Sequence, residues 1–294
     1  MRRSVPGGSD FGFVIEFVVE QLELLPFLFV TYLVLEWIEA HADGALEKFL
    51  ERARSIGPLA GALAGAFPQC GFSAAAASLY SGGIITVGTL IAVFLSTSDE
   101  LLPVLIGAHA PSMLILKIIA LKTAFAVVIG FVVNGFIVVF RGKNVPVPRI
   151  DELCEHSHCS CADHHGIIVP ALIHTIEIFA FVFLVAGAVE LAIHHFGEDC
   201  IASLALGRPV LGELIGGALG LIPNCAVSAA AADLYVKHPE LIRSGALMAS
   251  SFSGCGLGLL VLFRTNRNLK LNLLILLSVY GLGTVLGGIT GTFL

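Results

Sequence analysis

The chain has 294 residues, of which 56 % are hydrophobic and only 13 % charged, with a formal net charge of −6 and a mean hydropathy of +0.93. Such a composition lies outside the soluble range and points to a bilayer, while nucleic-acid binding finds no support in it. The net charge itself decides little, because membrane topology follows local Lys and Arg.

The first predicted helix runs from Phe11 to about Ala40. It can cross a hydrocarbon core of about 30 Å, and it is too long and too acidic for a cleaved signal peptide. Glu20 and Glu23 lie three apart on one face, and Glu36 follows near the far end, where a headgroup location is equally in keeping with the pattern. Next comes the phrase GALAGAFPQCGFSAAAASLY at 61–80. Pro68 removes a backbone donor and leaves the preceding carbonyls unpaired, which is tolerated at membrane depth only where protein or water satisfies them. Gln69, Cys70 and Ser73 would place amide, thiol and hydroxyl donors beside those carbonyls. A half-helix starting near Ser73 would aim its positive end at the same place, which favours an anion instead.

The apolar run 89–95 is then interrupted by Ser96-Thr97-Ser98-Asp99-Glu100 before a further run at 101–106. Adjacent acids in mid-segment mark an ion or proton pathway. A long helix closes this half near Arg141, and a polar linker of 142–167 follows. Its core, CEHSHCSCADHH, brings Cys154, His156, His158, Cys159, Cys161, His164 and His165 into twelve positions. Thiolate and imidazole are preferred transition-metal donors, and the lack of paired finger spacings suits a flexible capture tract rather than a folded module. With three cysteines there and Cys70, Cys225 and Cys255 in apolar segments, the thiols read as largely reduced.

The second half repeats the first. Residues 176–195 align with 22–41, superposing Glu23 on Glu177 and Glu36 on Glu190, and the same offset matches Glu20 with His174. GGALGLIPNCAVSAAAADLY at 216–235 repeats 61–80, pairing Cys70 with Cys225, Ser73 with Ser228, Gln69 with Asn224 and Ser78 with Asp233. Ser96 aligns with Ser253, so that Ser98-Asp99 faces Cys255-Gly256, and Gly130 aligns with Gly283. The Gly-xxx-Gly pairs Gly61/Gly65, Gly216/Gly220 and Gly283/Gly287 read as close-packing surfaces.

These features predict an all-α polytopic membrane protein built from two repeats, 11–141 and 168–294, joined by a cytoplasmic His/Cys-rich linker, 142–167. Each repeat carries a Pro-broken helix or re-entrant hairpin. Basic clusters at Lys48/Arg52/Arg54, Arg141/Lys143/Arg149 and Arg264/Arg267/Lys270, all set in the cytoplasm, require an odd number of crossings per half and hence inverted topology. Three and five crossings per half both remain open.

The paired FPQCGFSAAAA and IPNCAVSAAAA breaks, joined by a His/Cys linker, resemble the ten-transmembrane heavy-metal exporter family, whose members are variously labelled arsenic efflux proteins or manganese transporters. The likeness covers nearly the whole chain, and a looser one extends to arsenic permeases. The resemblance implies a secondary exporter with five segments per half. The expected site binds a divalent transition or heavy metal, manganese or zinc-like, through Gln69, Cys70, Ser73, Asp99, Glu100, Asn224, Cys225, Ser228, Asp233 and Cys255. Proton coupling is expected through Glu23, Glu36, His174, Glu177 and Glu190. The alternatives are an arsenite or organoarsenical permease, and a membrane metal sensor acting through 154–165. No enzyme is expected, since no nucleophile–base pair is visible, and no cofactor beyond the transported metal and metal held in the linker. The expected setting is the inner (plasma) membrane, crossed several times, and a homodimer is compatible with the sequence.

Overall fold

The computed structural model describes residues 18–19, 21–22, 24–40, 56–67, 70–97, 101–107, 110–141, 168–196, 206–223, 231–232, 234–236 and 241–293. In the first half these form α1 (Leu24–Ala40), α2 (Ile56–Gly65), α3 (Cys70–Ser81), α4 (Val87–Ser96), α5 (Leu101–Gly107) and α6 (Ser112–Arg141). In the second they form α7 (Ile168–Phe196), α8 (Leu211–Gly220), α9 (Ser244–Ser253), α10 (Gly258–Thr265) and α11 (Leu269–Thr290). Among the described residues, four stretches are long and apolar enough to span a membrane: Ser112–Val139, Ile168–Ala188, Ser244–Thr265 and Leu269–Thr290. Leu24–Trp37, Ile56–Gly65, Val87–Ser96 and Leu211–Gly220 are shorter apolar helices.

Burial sorts these helices into a core and a rim. Every residue of α4 from Gly88 to Ser96 is buried, as is every residue of α9 from Gly245 to Ser253. Most residues of the Ser244–Thr265 stretch are buried, whereas few of Ser112–Val139 are, and that helix exposes Val128, Phe131, Val132, Phe136 and Val139. An apolar outer face of that size is stable only against lipid. Helix α4 packs on α6, and α9 on both α8 and α11; α4 also touches α9. Across the halves, α1 lies on α7, and α3 lies on α10.

Proline breaks the chain where the sequence predicts. Just before Pro68, Phe67 N–H bonds Ala64 O at 3.2 Å; just before Pro223, Ile222 N–H bonds Leu219 O at 3.1 Å. Both helices thus tighten to three-residue turns as the proline ends the ladder. The α3–α4 turn uses Gly83 at φ 74°, and the break between α9 and α10 uses Gly256 at φ 52°, positions that suit a residue without Cβ. Helix α4 is capped by Thr86 Oγ1, which accepts from Thr89 N at 3.2 Å. Asn268 Oδ1 caps α11 in the same way, from Leu271 N at 3.2 Å.

The close-packing reading of the glycines is realised, and it recurs. A Cβ on Gly61 would lie 3.2 Å from Thr89 O, and one on Gly216 would lie 2.3 Å from Ala246 O. One on Gly65 would meet Val93 O at 2.7 Å, and one on Gly220 would meet Ser250 O at 2.1 Å. Further along, Gly130 meets Ala92 Cβ at 2.9 Å and Gly287 meets Ala249 Cβ at 2.5 Å. The contacts therefore put Gly287, not Gly283, in the place of Gly130. The closing helices are displaced by one turn from the register that letter matching suggests, because the close approach to Ala92 or Ala249 fixes which glycine must sit there.

Candidate functional site

The breaks of the two halves meet. Helix α3 begins at Cys70, directly after the Pro68 break, and its fourth residue, Ser73, is fully buried. Against it lies Gly258, the first residue of α10 and three residues past Cys255; a Cβ there would be 2.6 Å from both Ser73 C and Ser73 O. Cys255 is itself buried, and its thiol donates to Ser253 O at 3.2 Å. Farther along this seam Ser81 Oγ bonds Thr265 Oγ1 at 2.7 Å. So the first turn of α3, just past one break, and the first residue of α10, just past the other, make one close buried contact, with Ser73 on one side and Cys255 three residues before the other.

The remaining predicted ligands Gln69, Asp99, Glu100, Asn224, Cys225, Ser228 and Asp233 lie outside the described residues, as do Glu23 and the linker residues Cys154, His156, His158, Cys159, Cys161, His164 and His165. For Cys70 and Glu190 the backbone is helical and the side chains lie outside the description. Among the described residues no three His, Cys, Asp or Glu side chains gather as a metal cluster.

A second polar cluster crosses the α1–α7 contact. Glu36 Oε1 of α1 stands 3.5 Å from His174 Nε2 of α7, with side chains only 11 % and 8 % exposed. Tyr32, one turn before Glu36, stacks on the His174 ring with centroids 5.6 Å apart, and its hydroxyl meets Ser78 Oγ of α3 at 3.2 Å. One turn after His174, Glu177 pairs with Arg264 of α10, whose guanidinium also lies 5.9 Å from the centre of the Phe181 ring. Glu36, His174 and Glu177, named together in the sequence for proton coupling, belong to one array that links α1, α3, α7 and α10. The sequence places Glu36 as readily in the headgroups; the structure buries it because an imidazole on the other half supplies its partner.

Two buried ionisable residues escaped the sequence reading. Glu213, in the first turn of α8, is 9 % exposed and its Oε2 has no hydrogen-bond partner. Lys122, midway along α6, is fully buried. Its ammonium donates to Thr97 O, to Ser251 O at 2.8 Å and to Ser251 Oγ at 2.7 Å, and sits 5.7 Å from the centre of the Phe252 ring. A lysine is almost never fully buried unless paired. The available signal was a lone cation inside the apolar run 118–140 with an apolar residue at the matching position of the second half, Ile275 by the letters and Val279 by the contacts, both buried.

Over residues 21–211 the chain matches the family described as "putative, 10TM heavy-metal exporter". The chain belongs to this family. It is accordingly a multi-pass membrane protein of a transporter family rather than an enzyme. No curated protein and no solved structure matches it.

Proposed function

We propose that this exporter-family protein is a secondary transporter that moves a divalent transition or heavy-metal cation, manganese or zinc-like, out of the cell in exchange for protons. The observation that carries the reading is the buried junction of breaks, where Ser73 at the start of α3 abuts Gly258 just past Cys255. Interrupted helices at membrane depth persist only where they line a cavity or meet protein, and in transporters such breaks host the ion. Ser73 and Cys255 sit at this junction. By the repeat, Ser228 with Asn224 and Cys225 would face the Thr97–Glu100 break in the same manner. Gln69, Cys70, Asp99, Glu100 and Asp233 complete the set, with carboxylates neutralising the charge and amides and thiols setting selectivity.

The Glu36–His174 pair supports the coupling role, since a carboxylate and an imidazole in contact can pass a proton between the halves. Glu23, Glu177 and Glu190 would extend that path. The same pair supports inverted repeats: Glu36 is near the end of α1 and His174 near the start of α7, the meeting that oppositely directed helices produce. The linker tract 154–165 would gather metal on the cytoplasmic side.

The test is metal transport into everted inner-membrane vesicles. Wild type should accumulate Mn2+ or Zn2+ under a proton gradient, and Cys70→Ala, Asp99→Ala and Cys225→Ala should each abolish it. Equal transport by all three variants would remove the site. Arsenite transport that needs Cys70, Cys225 and Cys255 but not Asp99 would favour an arsenical permease, a reading to which the buried Cys255 thiol lends weight.

A further inference from the structure

We propose that the Lys122 ammonium is a tethered cation that fills an oxygen cage in the transport path, and that the metal competes with it for those oxygens. This rests on the export reading above and names the internal competitor of the substrate.

The cage is built from two helix C-termini, one from each half. Helix α4 ends at Ser96 with Thr97 as its cap residue, and α9 ends at Ser253. The last four carbonyls of a helix have no intrahelical partner, and they carry the negative end of the helix dipole. Thr97 O and Ser251 O belong to these sets, and Lys122 donates to both and to Ser251 Oγ. A charge taken wholly out of water survives only where its surroundings compensate it. The burial of Lys122 at 0 % exposure therefore identifies the meeting point of α4 and α9 as a place that stabilises positive charge.

The donor chemistry is that of a hard metal site. Carbonyl and hydroxyl oxygens are what Mn2+-like cations take, and the C-terminal ends of broken helices are where transporters place ions. A divalent ion and an ammonium cannot share three oxygens. The lysine's flexible four-carbon stem lets its head withdraw without moving α6. Withdrawal removes the side chain that ties the end of α4 to the end of α9, so metal entry also loosens the link between the halves. Val279 stands at the matching position of the second half, so the repeat supplies one such tether and not two.

Two measurements on the full chain test this. In everted vesicles, Lys122→Met should lower KM for Mn2+ about tenfold, because the competing cation no longer occupies the cage, while maximal rate falls. A lysine with a purely structural role would lower the rate and leave KM unchanged or raised, and that result overturns the proposal. The second measurement needs no variant and decides the matter if Lys122→Met does not fold: acetic anhydride labelling of wild type, read by mass spectrometry. Mn2+ should raise Lys122 labelling severalfold and leave the exposed Lys117 of the same helix unchanged; no rise at Lys122 overturns the tether. If wild type transports neither Mn2+ nor Zn2+, the export reading fails. Labelling of Lys122 that still responds to Mn2+ would then sustain the cage, and labelling that does not would overturn both.

Discussion

Replacing Gly258 by Ala tests whether the junction of the two breaks matters, with a single carbon atom as the probe. The new Cβ would start 2.6 Å from Ser73 C and O and 2.8 Å from Ser73 Cβ. Carbon contacts settle near 3.5 Å, so α10 must retreat from α3 by about 0.9 Å at this point. The obstacle is backbone, which cannot swing aside as a flexible side chain can, and overpacking of that kind costs about 1–3 kcal/mol. Taking about 2 kcal/mol, the Tm of the detergent-solubilised protein should fall by roughly 4–8 °C. Transport should suffer more than stability, because the displaced helix carries one side of the proposed site, and misplacement by about 1 Å can cost on the order of a hundredfold where geometry sets a rate. Gly281→Ala on α11 is the control, since nothing lies within 4 Å of its Cβ; it should leave stability unchanged or raise it by up to about 1 kcal/mol through helix propensity, so Tm does not fall. If Gly258→Ala matches Gly281→Ala in both Tm and metal transport, the close contact at Ser73 is not what holds the site.

Glu36→Ala should destabilise the protein by about 1–2 kcal/mol, because the buried His174 Nε2 loses this contact; Glu36→Gln should recover much of that stability yet leave metal transport insensitive to the imposed proton gradient, measured in vesicles with and without an ionophore. Tyr32→Phe removes the hydroxyl that meets Ser78 Oγ and should cost about 1 kcal/mol, read as a small loss of Tm. Deleting 154–165 should leave Tm unchanged while lowering the metal bound per chain in elemental analysis. Retention of all bound metal after that deletion would show that the tract is not a metal store.

Much of the scaffold was legible because repetition and small residues leave a strong trace in sequence. The Pro68 and Pro223 breaks, and the glycines at 61, 65, 216 and 220, stand where the letters put them, since proline and glycine act through their own backbone. Partners across the halves were not legible. Nothing in the local sequence of α1 shows that Glu36 will meet His174, and Arg264 read as a topological charge before it was seen beside Glu177. Lys122 was hidden for a related reason: an apolar helix with one lysine looks the same whether the charge reaches headgroups or, as here, finds Thr97 and Ser251. The register of the closing helices was also misread by one turn, because Gly283 and Gly287 both fit the letters and only contact with Ala249 separates them.

The Glu36–His174 pair also bears on how such a chain can have arisen and why it stays whole. A perfect two-fold copy of the pair would set Glu20 against Glu190, acid against acid, by the alignment of the halves. An ancestor made of two identical subunits could not have held this contact in its present form. A chain with glutamate at both positions would have no imidazole to set against Glu36, so each half depends on the other for this buried contact.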